Sequence, residues 1–150
     1  MKTGRASNTA QAAAAIRAYD NLSNQRPLFH DAYAINMTSP AWRFILSNKT
    51  LMRLLKTQPV RRAWDLLVTQ VALRSAYSED WLYEALNRGV KQYVMIGAGL
   101  DSFALRAAAH YPDVKIYELD HPDTQALKIK TLSQLGEIPA NVEFKDMRAE

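Results

Sequence analysis

Gly97, Gly99, Asp101, Glu118 and Asp120 are the residues of this chain best suited, by type and spacing, to hold a charged, hydroxylated ligand. Gly97-Ala98-Gly99 follows directly on the apolar run Tyr93-Val94-Met95-Ile96. Glycines at alternate positions let the backbone approach a ligand closely or take a positive φ. Glu118 and Asp120 come about twenty residues later, at the end of a second apolar run. In a strand–turn–helix–strand unit that spacing sets a carboxylate beside the glycine turn, where it can accept hydrogen bonds from ribose hydroxyls. The third glycine of a dinucleotide fingerprint is replaced by Ser102, and Asp101 stands at the mouth of the following helix. A carboxylate there disfavours a pyrophosphate and suits a cationic amine or a sulfonium.

These residues need a particular frame. Tyr93–Ile96 reads as a buried parallel strand. Ser102–His110 reads as a helix whose free N–H groups point back at the glycine turn. Pro112-Asp113 ends that helix, and Val114–Leu119 reads as the second strand, closed by Asp120. A helix over Thr124–Leu135 follows, with Leu127, Leu132 and Leu135 expected against the sheet and Gly136 as its stop. Pro139-Ala140-Asn141 is a turn into a third strand, Val142–Lys145, followed by Asp146. His121 falls in a loop-to-helix turn, a surface or packing position rather than that of a general base. His30 and His110 have no partner pattern.

Upstream the chain reads as helical. Residues 1–8 read as a frayed tail. Thr9–Asn21 is a helix built on the alanine tract, and it carries Arg17. Gln25-Arg26-Pro27 breaks it, and Asp31 is placed to cap a short helix over Ala32–Met37. Ser39-Pro40 has the form of an N-cap followed by proline, with Trp42, Ile45 and Leu46 facing inward. Leu51–Leu55 continues the apolar pattern. Pro59 opens a helix with Trp64, Leu67, Val68, Val71 and Ala72 at core spacing. Ser78 reads as the N-cap of a further helix with Trp81, Leu82, Ala85 and Leu86 inward, ended by Gly89 as the left-handed residue. The expected organisation is a helical cap over residues 1–91 and the first three strands of a doubly wound α/β sheet over 92–150.

Composition narrows the class. The chain has 150 residues, no cysteine and a net charge of +4. Disulfides, thiolate metal sites and cysteine nucleophiles are therefore excluded, and no zinc-ligand spacing occurs. No apolar run approaches the ~20 residues of a membrane span, and no leucine-rich signal core opens the chain. A cytoplasmic location is expected. The charge is uneven, +7 over residues 1–91 and −3 over residues 92–150. No aromatic-interleaved basic motif accompanies it, so a solvated helical surface is expected rather than a nucleic-acid partner.

Several segments together resemble the class I S-adenosylmethionine-dependent methyltransferases, and among them the leucine carboxyl methyltransferase-like family. They are Arg26-Pro27-Leu28-Phe29-His30-Asp31-Ala32-Tyr33-Ala34, Arg74-Ser75, Gly97-Ala98-Gly99-Leu100-Asp101-Ser102, Tyr117-Glu118-Leu119-Asp120-His121-Pro122 and Phe144-Lys145-Asp146-Met147-Arg148. The resemblance implies a Rossmann-like sheet and S-adenosyl-L-methionine as cofactor. It implies methyl transfer to a carboxyl or hydroxyl oxygen of a small molecule or protein, with no catalytic base assigned. It gives Arg74 and Arg17 the cofactor carboxylate, and Gly97, Ala98, Gly99 and Asp101 the methionine part. Asp120, with Glu118 as the alternative, takes the ribose, and Asp146 and Met147 the adenine. An exposed helical arginine is the other reading of Arg17, and a plain salt bridge that of Arg74. Family members run to roughly twice this length with seven strands. A truncated or split fragment, inactive alone and prone to self-association or pairing with a C-terminal half, is thus a second expectation. Half of an NAD(P)-dependent oxidoreductase is a third.

Overall fold

The computed structural model describes residues 7–147. The frayed tail expected at the N-terminus, up to residue 6, and Arg148 lie outside the described residues. The chain divides into two compact units. One is Ala12–Tyr83, and the other is Glu84 onward together with the stretch up to Gln11.

The helical unit is built from α1 (Asn8–Ser23), α2 (Ala34–Met37), α3 (Pro40–Ser47), α4 (Lys49–Leu55) and most of α5 (Val60–Asn87). Its core gathers Ile16, Tyr19, Phe29, Leu46, Met52, Trp64 and Val68. Trp64 is central to it. Its ring lies 4.7 Å from that of Tyr19, and the edge of Trp42 meets it at 5.6 Å. Ser39 caps α3 as expected, its hydroxyl accepting from the Trp42 N–H with Pro40 at the first turn. The Asn48 side chain caps α4 in the same way.

A polar clasp holds the loop between α1 and α2. Asp20 is fully buried. Its carboxylate accepts from the Leu28 N–H (2.8 Å), the Phe29 N–H (3.4 Å) and the Asn24 amide (2.6 Å). Asn21 donates to the carbonyls of Arg17 and Phe29 and accepts from the Asp31 N–H. The backbone groups of this turn are thus satisfied without secondary structure.

Two expectations fail on α5. It runs unbroken from Val60 to Asn87, with no new start at Ser78. Neither proline nor glycine interrupts that span, and the Ser75 hydroxyl donates to the Val71 carbonyl, i to i−4, within the helix. Trp81 and Leu67 point outward, Trp81 being 54% exposed. Trp64, Val68, Ala72 and Leu82 are the buried positions. Gly89 follows the helix at φ +91°, the left-handed conformation expected of it.

The second unit carries a parallel sheet in the order β1 (Gln92–Ile96), β2 (Lys115–Asp120), β3 (Val142–Asp146). Between β1 and β2 stand α6 (Phe103–Arg106) and a 3-10 turn (Ala108–His110); α7 (Pro122–Leu135) joins β2 to β3. This is the expected α/β, Rossmann-like arrangement of strands and crossovers. The helix expected over Ser102–His110 is reduced to four residues. Ala107, at φ −136°, interrupts it and the chain tightens into the 3-10 turn.

Strand alternation separates two sheet faces. Met95, Glu118 and Phe144 stand in register on one; Val94, Tyr117 and Glu143 on the other. On the first face Phe103 packs its ring 5.4 Å from that of Tyr93, and α7 buries Thr124, Gln125, Lys128 and Leu132. Leu127, expected against the sheet, is exposed instead. The second face is largely open, with Val94 50% and Ile96 75% exposed.

Candidate functional site

The glycine turn is held by the end of the neighbouring strand. Gly97 (φ +68°) and Gly99 (φ +56°) both occupy the left-handed region, which side chains rarely adopt. The N–H groups of Gly97 and Ala98 donate to the Leu119 carbonyl at 2.8 and 3.1 Å. The Gly99 N–H donates to Asp120 Oδ2 at 2.5 Å. A Cβ on Gly97 would meet nothing within 4 Å, so open space lies over that residue. A Cβ on Gly99 would stand 3.4 Å from the Ala10 side chain at the start of α1.

Asp120 ties three segments together. Its second carboxylate oxygen accepts from the His121 N–H at 2.6 Å, and its carbonyl accepts from the Met147 N–H at 2.8 Å. Asp146 lies in register with it at the end of β3, and Met147 follows, 43% exposed. Gly97, Asp120, Asp146 and Met147 therefore gather at the carboxyl ends of the parallel strands, where open α/β sheets bind their ligands. Asp120 is only half-buried, and a carboxylate offers about four acceptor positions, so two backbone donors leave it capacity for ligand hydroxyls.

Asp101 is engaged within its own turn. Its Oδ1 accepts from the Phe103 N–H at 2.7 Å and lies 3.4 Å from the Arg106 guanidinium. Arg106 also donates through Nε to the Ser102 hydroxyl at 2.8 Å. The first N–H of α6 is thus occupied by Asp101 rather than aimed at a ligand, and the Asp101 charge is partly offset. Arg106 went unnoticed in the sequence, although its i, i+4 relation to Ser102 was there to be read.

Glu118 is removed from any ligand surface. It is fully buried on the α7 face of β2 and forms an ion pair with Lys128, whose side chain is equally enclosed. Burial pushes its carboxyl above the ordinary value of 4.5; Lys128 pulls the other way, and Asp101 and Asp120 add to the rise. Gln125 packs beside it and donates to the carbonyls of Glu118 and Lys145. No sequence signal marks Lys128 and Gln125, because polar residues at buried helical positions lie outside the apolar periodicity.

His121 is accounted for structurally. Its Nδ1 accepts from the Asp123 N–H at 3.3 Å and caps α7. In the helical unit, Arg17 is buried with its Nε 3.0 Å from Asp31 Oδ2. It is therefore not the exposed helical arginine of the alternative reading. Asp31 also accepts from the Tyr33 N–H, but it is not the expected cap of a helix over Ala32–Met37: α2 begins at Ala34, its N-cap is Tyr33, and no side chain caps it. Arg74 is exposed on α5 and has no hydrogen-bond or ion-pair partner among the described residues. Also among the described residues, no helix is long and apolar enough to cross a membrane, and no group of three side chains could hold a metal ion.

The family model described as leucine carboxyl methyltransferase matches residues 10–148. A Bacillus subtilis protein, provisionally named S-adenosyl-L-methionine-dependent methyltransferase YktD, is 30% identical over 98% of this chain and 53% of its own length. Proteins with the same provisional description from Mycolicibacterium paratuberculosis and Mycobacterium marinum are 33% and 32% identical. These two matches cover 89% and 88% of this chain but 43% and 42% of those proteins. The chain thus spans about half the length of the relatives it matches.

Proposed function

The chain belongs to the leucine carboxyl methyltransferase family, and on that basis we propose that it binds S-adenosyl-L-methionine at the carboxyl ends of β1, β2 and β3. The observation that carries this reading is Asp120. Its carboxylate is fixed by the Gly99 and His121 N–H groups, with acceptor capacity left over beside the open space at Gly97. A carboxylate so placed fits a ribose, and it needs no pyrophosphate partner. Asp146 and Met147 fit the adenine end. Asp146 offers an acceptor to the amino group, and the Met147 thioether an apolar, polarizable surface to the ring. The resemblance gives Arg74 and Arg17 the cofactor's carboxylate, a role that rests on sequence pattern alone. Glu118, enclosed with Lys128, and Asp101, engaged with Phe103 and Arg106, support the geometry around the site rather than the ligand.

When bound, S-adenosyl-L-methionine supplies an activated methyl group on a sulfonium. The protein's contribution is alignment and exclusion of water rather than covalent chemistry. The acceptor class is a carboxyl or hydroxyl oxygen.

Calorimetry with S-adenosyl-L-methionine, and separately with NAD and NADP, tests this. Saturable binding of S-adenosyl-L-methionine alone is expected. Asp120→Ala should weaken it by about 1.5–3 kcal/mol, the range for hydrogen bonds to a charged group. Binding of NAD or NADP in its place would instead favour the oxidoreductase reading. Unchanged affinity in the Ala variant would take Asp120 out of the site.

A further inference from the structure

A cavity lies entirely within the helical unit, between the end of α1, the end of α3 and α4. Its volume is about 430 Å³, within the range of small-molecule sites. Leu22, Leu46 and Met52 form its apolar lining; Lys49, Arg53 and Lys56 form its rim. Lys49 and Arg53 stand one turn apart on α4 and Lys56 is its C-cap, and none of the three has a side-chain ion pair or hydrogen bond among the described residues. The sequence around them is one-sided. No acidic residue occurs between Asp31 and Asp65, whereas Arg43, Lys49, Arg53, Lys56, Arg61 and Arg62 all fall there. Lys56 also borders a smaller, separate pocket of about 190 Å³ lined by Ser23, Asn24 and the Arg61–Asp65 pair, whose carboxylate makes it the less suited of the two to an anion.

An apolar lining and exposed cations without a carboxylate in the lining together select a ligand with an apolar body and an anionic head. A guanidinium fork matches a carboxylate in two parallel hydrogen bonds, and an ammonium adds charge without that directionality. We propose that this cavity binds a single-chain anionic amphiphile, an alkyl carboxylate. Its chain lies on Leu22, Leu46 and Met52, and its head lies among Lys49, Arg53 and Lys56. A nucleic-acid backbone fits less well. It has no use for an aliphatic lining, and no aromatic side chain lines this cavity to stack a base. The inference is independent of the glycine-turn site.

The test is calorimetry on the full 150-residue chain with octanoate, octylamine and acetate, each below its aggregation concentration. Octanoate is expected to bind saturably, and octylamine and acetate are not. The triple variant Lys49→Gln, Arg53→Gln, Lys56→Gln should lower octanoate affinity about tenfold, since each exposed charge contributes modestly. Leu22→Glu, at a half-exposed helical position that tolerates the change, should abolish binding. Arg62→Gln, outside the cavity, should leave it unchanged. Equal binding of octylamine, equal binding of acetate, or an unaffected triple variant would each overturn the proposal. So would affinity for anionic phospholipid vesicles or duplex DNA without affinity for monomeric octanoate.

Discussion

Lys128 and Glu118 bring opposite charges into the layer between α7 and the sheet, and each depends on the other. Removing one member of an enclosed pair leaves the other uncompensated. Lys128→Met should therefore cost about 3–5 kcal/mol at neutral pH. The pH dependence has a definite sign. The folded carboxyl of Glu118 titrates above the 4.5 of the unfolded chain. Between those two values the folded state holds a proton that the unfolded state has lost. Stability from this group is thus full below 4.5 and is lost as pH rises through the folded value. Denaturant unfolding at several pH values would show it. Wild type should lose stability relative to Glu118→Gln as pH climbs from 4.5, and the Lys128→Met penalty should shrink on acidification. Parallel curves for wild type and Glu118→Gln would contradict the assignment.

At the scale of elements, the glycine turn joins β1 to a helix of only four residues, and its shape comes from β2 as much as from its own sequence. Leu119 and Asp120 supply the acceptors for three consecutive N–H groups, those of Gly97, Ala98 and Gly99. Gly99 combines a positive φ with close approach to Ala10. Gly99→Ala should therefore destabilise the fold by about 1–2 kcal/mol from backbone strain alone. If the turn also cradles the cofactor, affinity should fall further in the folded fraction. Thermal unfolding together with calorimetry separates the two effects. A variant that loses stability but binds normally would make this glycine purely structural.

Over the whole molecule, the sheet is the incompletely covered element. Among the described residues β1 pairs with β2 alone in the sheet, and Val94 and Ile96 leave apolar surface open on one face. Unpaired edges template association, and exposed apolar area gains roughly 25 cal/mol per Å² on burial. The chain on its own is expected to self-associate. Light scattering should find concentration-dependent growth, reduced by Ile96→Lys, which places a charge on the open face. A monodisperse monomer over the same concentrations would refute the expectation.

The sequence by itself determined the order of strands and crossovers, the caps at Ser39 and Gly89, and the glycine turn with an acid about twenty residues on. All of these are local. They depend on residue type and spacing along one strand, one helix end or one turn, where φ preferences and capping groups act over a few residues. Tertiary structure decided what each polar side chain faces. Glu118 and Asp120 are two residues apart on one strand, yet one is sealed against Lys128 and the other holds the glycine turn. Arg17 and Asp31 looked like a surface arginine or cofactor ligand and a helix cap, and became a buried ion pair. Leu127 and Trp81 matched apolar stripes and ended in solvent, while Lys128 and Gln125 on α7 and Leu82 on α5 took inward positions. Hydrophobic periodicity records which side of a helix is apolar on average. Which polar group finds a partner there is settled by residues far away in sequence, and only the folded chain brings them together.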